Sequence, residues 1–242
     1  LFPSSASAAT QAFNIFGLCL AGTSHVVRVR NILQTAADHL RAFAHGERFS
    51  TILADPPWQF TNRTGKMAPE HRRLRRYGTM TLAEIMALPV AEVAAERAHL
   101  YLWVPNALLP EGLEVMRRWG FAYKTNLVWY KIRKDGGPDR RGVGFYFRNV
   151  TELVLFGVRG RDVRTREAGR TLPNLFATCK REHSRKPDEH YALIEACSRP
   201  PFLELFARHT RAGWWQWGDE APEVTSAAAA VDAADDPVAQ SD

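Results

Sequence analysis

Between residues 31 and 44 the apolar side chains Ile32, Leu33, Ala36, Ala37, Leu40 and Phe43 fall on one face at helical spacing, which predicts a helix. The run Ser50 to Ala54 is short, apolar and β-branched at two places, so it predicts a buried strand that stops abruptly before Pro56 and Pro57. Residues 59 to 80 are polar and predict a long loop. Thr81 and Glu84 stand at capping-box spacing, so a helix starts there and ends before Pro89. The pattern then predicts a strand over His99 to Val104, a helix from Leu108 to Trp119 closed by Gly120, and a strand over Phe121 to Ile132. Beyond a basic, Gly-rich loop come a strand over Thr151 to Val158, an Arg-rich loop over residues 159 to 174, and a helix from Pro187 through Cys197. Phe202 to Phe206 and the aromatic run Trp214 to Trp217 read as strands. Strands alternating with helices indicate an α/β fold with a mainly parallel, doubly wound sheet, whose ligands bind beyond the carboxyl ends of its strands. Asp55 and Arg208 both fall at such ends.

Composition adds scale and charge. With 242 residues, 45% hydrophobic and 24% charged, the chain can bury one sizeable α/β core with decorations. Residues 1–24 are expected to be a poorly ordered extension, a fragment edge or linker, since the chain starts at Leu1 rather than Met. Residues 25–220 are expected to form the folded domain, and the Ala/Asp-rich residues 221–242 a disordered tail. Net charge is +6 and unevenly placed: residues 63 to 76 carry six Lys/Arg against one Glu, and residues 131 to 186 carry fifteen against six acidic residues. From Asp219 onward there are seven acidic residues and no basic one. This asymmetry suggests two basic surfaces for a polyanion. Cys19, Cys179 and Cys197 are an odd, widely spaced set that supports neither a disulfide framework nor a zinc site, and the eight His show no metal-ligand spacing. A reducing, cytoplasmic setting is expected, with no signal peptide, membrane span or metal.

The candidate chemistry lies at the end of the first strand, in Asp55-Pro56-Pro57-Trp58. Consecutive prolines fix φ and lack N–H groups, which is expected to leave the carbonyls of Asp55 and Pro56 free to accept from a ligand. A carboxylate and a rigid carbonyl can take both hydrogens of an exocyclic amine, while Trp58 offers a flat face on which a ring can stack. The amine of adenine is a poor nucleophile until its hydrogens are drawn toward acceptors, and acceptors already in place lower that barrier.

Seven blocks of the sequence resemble, in order, the MT-A70-like N6-adenine methyltransferases: Asp55 to Trp58, Tyr77-Gly78-Thr79-Met80, Leu102-Trp103-Val104, Trp129-Tyr130-Lys131, Arg148-Asn149 with Glu152, Ser184 to Glu189, and Glu204 to Arg208. The resemblance covers about residues 48 to 220. It implies a Rossmann-like methyltransferase fold with permuted motif order, in which the catalytic motif precedes the cofactor-binding strand, and S-adenosyl-L-methionine as cofactor. It also implies that Asp55, Pro56, Pro57 and Trp58 form the catalytic motif, in which Asp55, Pro56 and Trp58 hold the target adenine, and that Tyr77 lies in a loop closing over the site. Asp55, Lys186, Arg208, Asp219 and Glu220 are implied around the cofactor: Lys186 at its carboxylate, and Arg208 with Asp219 and Glu220 at its ribose. Asp219 stands where the family often has Asn, and an Asp accepts but does not donate.

Weighed singly, Lys186 at a helix start opposes the helix dipole, which favours a ligand role. Glu152 reads either as a pocket group or as a partner of Arg148. Trp103, Trp129 and the tryptophans from Trp214 to Trp217 read as packing, and His183, His190 and His209 as structural or solvated. Arg72, Arg73, Arg75 and Arg76, with Arg140, Arg141, Arg148 and the loop of residues 159 to 170, are the candidate nucleic-acid contacts. The expected reaction is methyl transfer to the N6 amine of adenine in nucleic acid, with DNA favoured over RNA because the chain is compact and shows no added RNA-binding module. Two rival readings are a catalytically silent binding subunit of the same fold, which the intact tetrapeptide opposes, and methylation of a small molecule or protein amide, which the basic loops oppose. A homodimer or a paired subunit is compatible with the sequence.

Overall fold

The computed structural model describes residues 35–59, 79–140, 146–179 and 186–218. All the elements below belong to the compact unit that begins at Ala36. Helix α1 (Ala36–Ala44) turns Leu40 and Phe43 inward and stops where His45 and Gly46 both take positive φ, a left-handed pair that closes the last turn. Strand β1 (Phe49–Ala54) follows at once. Thr81 caps α2 (Leu82–Ala87) in the expected box: its hydroxyl accepts from Glu84 N–H, and the Glu84 carboxylate accepts from Thr81 N–H at 2.7 Å. A single turn, α3 (Val90–Val93), runs straight into β2 (Ala94–Val104). A 3₁₀ turn (Asn106–Leu108) and α4 (Leu109–Arg118) lead to β3 (Ala122–Ile132). Then come β4 (Thr151–Arg159), a 3₁₀ turn (Glu167–Arg170), β5 (Leu175–Cys179), α5 (Glu189–Cys197), β6 (Phe202–Leu205) and β7 (Trp214–Trp217).

The seven strands form one sheet in the order β5-β3-β4-β2-β1-β6-β7. Strand β1 pairs parallel with both β2 and β6, β6 pairs parallel with β7, and β3 pairs parallel with β5. Strand β4 alone runs antiparallel to its neighbours. The reason is local: among the described residues no helix joins β3 to β4, so the chain returns in the opposite direction. Successive residues of β2 serve opposite layers. Leu100, Leu102 and Val104 join the core under α1, α2 and α4, whereas Tyr101 and Trp103 join the one under α5. Helices therefore cover both faces, and the chain leaves β1 toward β2 on one side and returns as β6 on the other. That switch point opens a crevice beyond the carboxyl ends of β1 and β6.

The structure departs from the sequence pattern in four places. Strand β2 starts at Ala94 rather than His99, because Ala94 pairs with Phe49 and Ala98 with Arg159 although this stretch is not strongly apolar. Edge strand β5 is absent from the pattern, since Leu175, Ala177 and Cys179 face solvent and leave no buried stripe. The last helix begins at Glu189 with Asp188 as its cap, so Pro187 lies before the first turn and lends it a carbonyl, accepting from His190 N–H. Strand β6 ends at Leu205, because Phe206 has φ +64°. Among the described residues no helix is long and apolar enough to cross a membrane, no group of His, Cys, Asp and Glu is placed to hold a metal, and Cys179 and Cys197 are free.

Candidate active site

Strand β1 carries Leu53 and Ala54, both buried, to the sheet's edge and delivers Asp55 into the crevice. The two prolines then turn the chain sharply. The Pro56 carbonyl is not free: it accepts the N–H of Trp58 at 2.8 Å, closing a three-residue turn, and the Pro57 carbonyl accepts from Met80 N–H at 3.0 Å. The expectation of a vacant Pro56 acceptor is therefore corrected, and only its second lone pair remains for a ligand. Trp58 is 6% exposed, packs in the main core and donates its indole N–H to the Trp103 carbonyl at 2.9 Å. A free stacking face is thus not what the structure offers; the indole wedges the turn against β2.

Around Asp55 the chain assembles a run of alternating charges. Lys186 Nζ lies 3.0 Å from both oxygens of Asp55 and 2.9 Å from Glu152, whose other oxygen is 2.9 Å from Lys131. The four side chains are mostly buried, at 15–26% exposure. Glu152 is a site group whose partners are the two lysines. The Lys186 ammonium also lies 5.0 Å from the centroid of the Trp103 ring, which faces a cation favourably. Burial opposes the Glu152 carboxylate, but the two lysines hold its pKa down at about 2. Burial opposes the Lys186 ammonium too, yet its two carboxylates raise it above the ordinary lysine value. Asp55 is pushed upward by burial, drawn back by Lys186 and pushed up again by Glu152, for a net rise.

The crevice is lined by Trp103, Lys186, Asp188, His190 and Tyr191 and by Glu204, Phe206, Arg208 and His209. The Tyr191 hydroxyl lies 2.9 Å from either oxygen of Glu204. Burial raises the Glu204 carboxyl to about 7. The left-handed Phe206 backbone turns the chain away from the sheet, and Ala207 N–H ties it back to the Trp217 carbonyl at 3.0 Å. Gly218 rests on that turn: a Cβ there would sit 2.8 Å from both Ala207 N and Ala207 O. From the sequence Glu204 appeared only as the start of a block, His190 was read as structural or solvated, and Tyr191 was not singled out, so none of the three was given a site role. A signal existed for Glu204, a carboxylate between two leucines in a short strand beside β1.

All seven blocks contribute to this region. Met80 joins it through Pro57, Trp103 through Trp58, Lys131 and Glu152 through Lys186, and Phe206 and Arg208 as its wall. Arg140 and Arg148 are exposed on the loop between β3 and β4, where an Arg148 guanidinium N–H donates to the Arg140 carbonyl. Tyr77, Arg72, Arg73, Arg75, Arg76, Arg141, Asp219, Glu220 and His183 lie outside the described residues.

A family model for MT-A70 matches residues 49–220. The chain belongs to the MT-A70 family. Among its relatives, the type II methyltransferase M.MunI of Mycoplasma sp is 28% identical over 73% of this chain and 79% of its own length. The N6-methyladenosine RNA methyltransferase MTA1 of Cryphonectria parasitica is 29% identical over 89% of this chain and 69% of its own. The N(6)-adenosine-methyltransferase MT-A70-like protein of Arabidopsis thaliana is 31% identical over 71% of this chain, which spans only 24% of that relative.

The family's methyl donor can be tested against this crevice. Among the described residues, the buried Trp103 Nε1 and His190 Nε2, both of residues lining the crevice, have no hydrogen-bond partner. The wall also mixes carboxylates with Lys186 and Arg208, as a zwitterion with a sulfonium requires. The residues fit S-adenosyl-L-methionine.

Proposed function

We propose that this chain is an S-adenosyl-L-methionine-dependent methyltransferase acting on the N6 amine of adenine in nucleic acid, with DNA as the favoured polymer. The observation that carries the reading is the junction of Asp55 with Lys186 and Glu152, at the mouth of a crevice that suits the methyl donor. When bound, the donor would supply the methyl group, with its sulfur keeping the electron pair of the broken bond. The rest is the work of the chain. Asp55 Oδ accepts a hydrogen of the amine and turns its lone pair toward the methyl, and as the new N–C bond forms the proton on that hydrogen bond passes from the nitrogen to the Asp55 carboxylate, which releases it to water. The rigid turn at Pro56 and Pro57 fixes that carboxylate, and Trp58 holds the turn. Lys186 neutralises Asp55 and in this reading takes the donor's carboxylate, with Glu152 and Lys131 holding it in position. Arg208, which lines the crevice, is proposed to meet the donor's ribose together with Asp219 and Glu220.

The second reading is RNA as the polymer, which the Cryphonectria relative supports because it is an RNA methyltransferase and matches most of this chain. Incubating the protein with labelled donor and either polymer of the same sequence, then mapping modified adenines, tests both. Labelling confined to RNA would reverse the choice of polymer. Asp55→Ala should abolish methylation while thermal unfolding stays cooperative. Normal turnover in that variant would remove the carboxylate from the mechanism.

A further inference from the structure

We infer that Tyr146 and Phe147 form a stacking platform for unpaired bases flanking the target adenine, an inference that rests on the nucleic-acid reading above. These rings are 95% and 86% exposed, whereas Trp58, Trp103, Trp119, Trp129, Trp214 and Trp217 are all buried. Each aromatic ring can bury about 150–250 Å² on contact, so two neighbouring rings held in water are a surface prepared for a partner. The loop that carries them is fixed at its base. The Val150 carbonyl accepts from Lys131 N–H at 2.8 Å, and the Asn106 amide donates to Thr151 Oγ1 at 3.0 Å. The Arg148 guanidinium joins the two limbs through the Arg140 carbonyl.

Position and charge select the occupant. Phe147 stands five residues before Glu152. An extended chain spans at most ~3.6 Å per residue, so the platform lies within roughly 18 Å of Glu152, which is bonded to Lys186 and through it to Asp55. A single strand advances by about 3.4 Å per stacked nucleotide, so bases a few positions from the target come within reach. Exposed Arg140 and Arg148 border the two rings, while Arg133 is spent on Asp135 at 2.5 Å. Aromatic faces beside guanidinium groups suit a polyanion whose bases are unstacked better than an apolar protein surface, and they take any base because every base has a π face. Such a platform would also hold the strand open after the target base has left its stack.

The test is binding of a fluorescent 12-mer single strand, as DNA and as RNA, to the full chain by anisotropy across a salt series. In Tyr146→Ala/Phe147→Ala the affinity in at least one arm should fall by roughly 10-fold or more, the scale of losing one stacked base, with the salt slope unchanged. Tyr146→Phe/Phe147→Tyr should bind like the wild type. Arg140→Gln should instead lower the slope of log K against log salt by about 0.7. A 2-aminopurine beside the target should be quenched by wild type and not by the double alanine variant. Equal affinity and equal quenching in wild type and double variant would overturn the platform. So would a change in oligomeric state with nucleic-acid binding intact, which would mark a protein interface. The arm that loses affinity names the strand. Absence of N6-methyladenine with the wild-type protein, alongside a persisting binding contrast, would sink the proposed activity and leave the platform standing.

Discussion

Lys131, Glu152, Lys186 and Asp55 alternate in sign, so each charge is held by the next, and removing one member disturbs the others. Breaking a buried pair by deleting one partner costs about 3–5 kcal/mol, chiefly because the remaining charge is left without compensation. Lys131 reaches Asp55 only through its neighbours, so it is a positioning residue. In Lys131→Met one of the two cations holding Glu152 near 2 is gone, and the Glu152 pKa should rise. A lowered carboxyl pKa contributes stability above the unfolded value of 4.5 that is lost as pH falls toward 2. In the variant that loss should be smaller and complete at a higher pH, and the acid limb of the pH–rate profile should move up, whereas Lys131→Arg should restore the wild-type limb. Rates measured from about pH 2 to pH 8 check this, and an acid limb unmoved in the methionine variant would count against the positioning role. The tetrapeptide announced Asp55 in the sequence, but its three charged neighbours come from β3, β4 and the segment before α5. Lys186 is separated from Asp55 by 131 residues, a separation that no local pattern encodes.

Elements were legible where one periodicity served one face. The capping box at Thr81 gave α2, and the apolar run before Asp55 gave β1. Strand β5 had no such signature, because an edge strand with alternate residues in solvent needs no apolar stripe. Strand β4 was found as a strand, but its antiparallel direction depends on the connection rather than on its own residues. Helix α4 illustrates how closely the layers fit. Gly112 faces β2, and a Cβ there would lie 2.6 Å from Val104 Cγ2, a branched side chain with little freedom to move. Gly112→Ala gains about 1 kcal/mol in helix propensity, but overpacking costs about 1–3 kcal/mol, so a net loss of stability of order 1 kcal/mol is expected. Thermal or denaturant unfolding measures it, and a stabilised variant would mean that α4 shifts away from the sheet at little expense.

At the scale of the molecule the sheet's switch point, rather than any single motif, makes the crevice. Strand β6 returns beside β1 and sets Glu204 facing the cavity, where burial raises its pKa to about 7. Unfolded, that carboxyl releases its proton near 4.5, so between 4.5 and about 7 the native state holds a proton that the unfolded chain has lost. Stability should fall as pH rises through this window, and Glu204→Gln, which has no proton to lose, should show a flatter dependence. Melting temperatures of both proteins across that window check the difference, and parallel curves would refute it. The sequence by itself determined the class of fold, the family, and the residues at the exit of β1, because each of these is written in local patterns of polarity, proline and short motif. The tertiary structure alone decided that Lys186 bridges Asp55 and Glu152, that Trp58 is a buried wedge, and that Glu204 faces the crevice. These facts depend on strand order and packing, which bring together groups distant in the chain and set how far water can reach them.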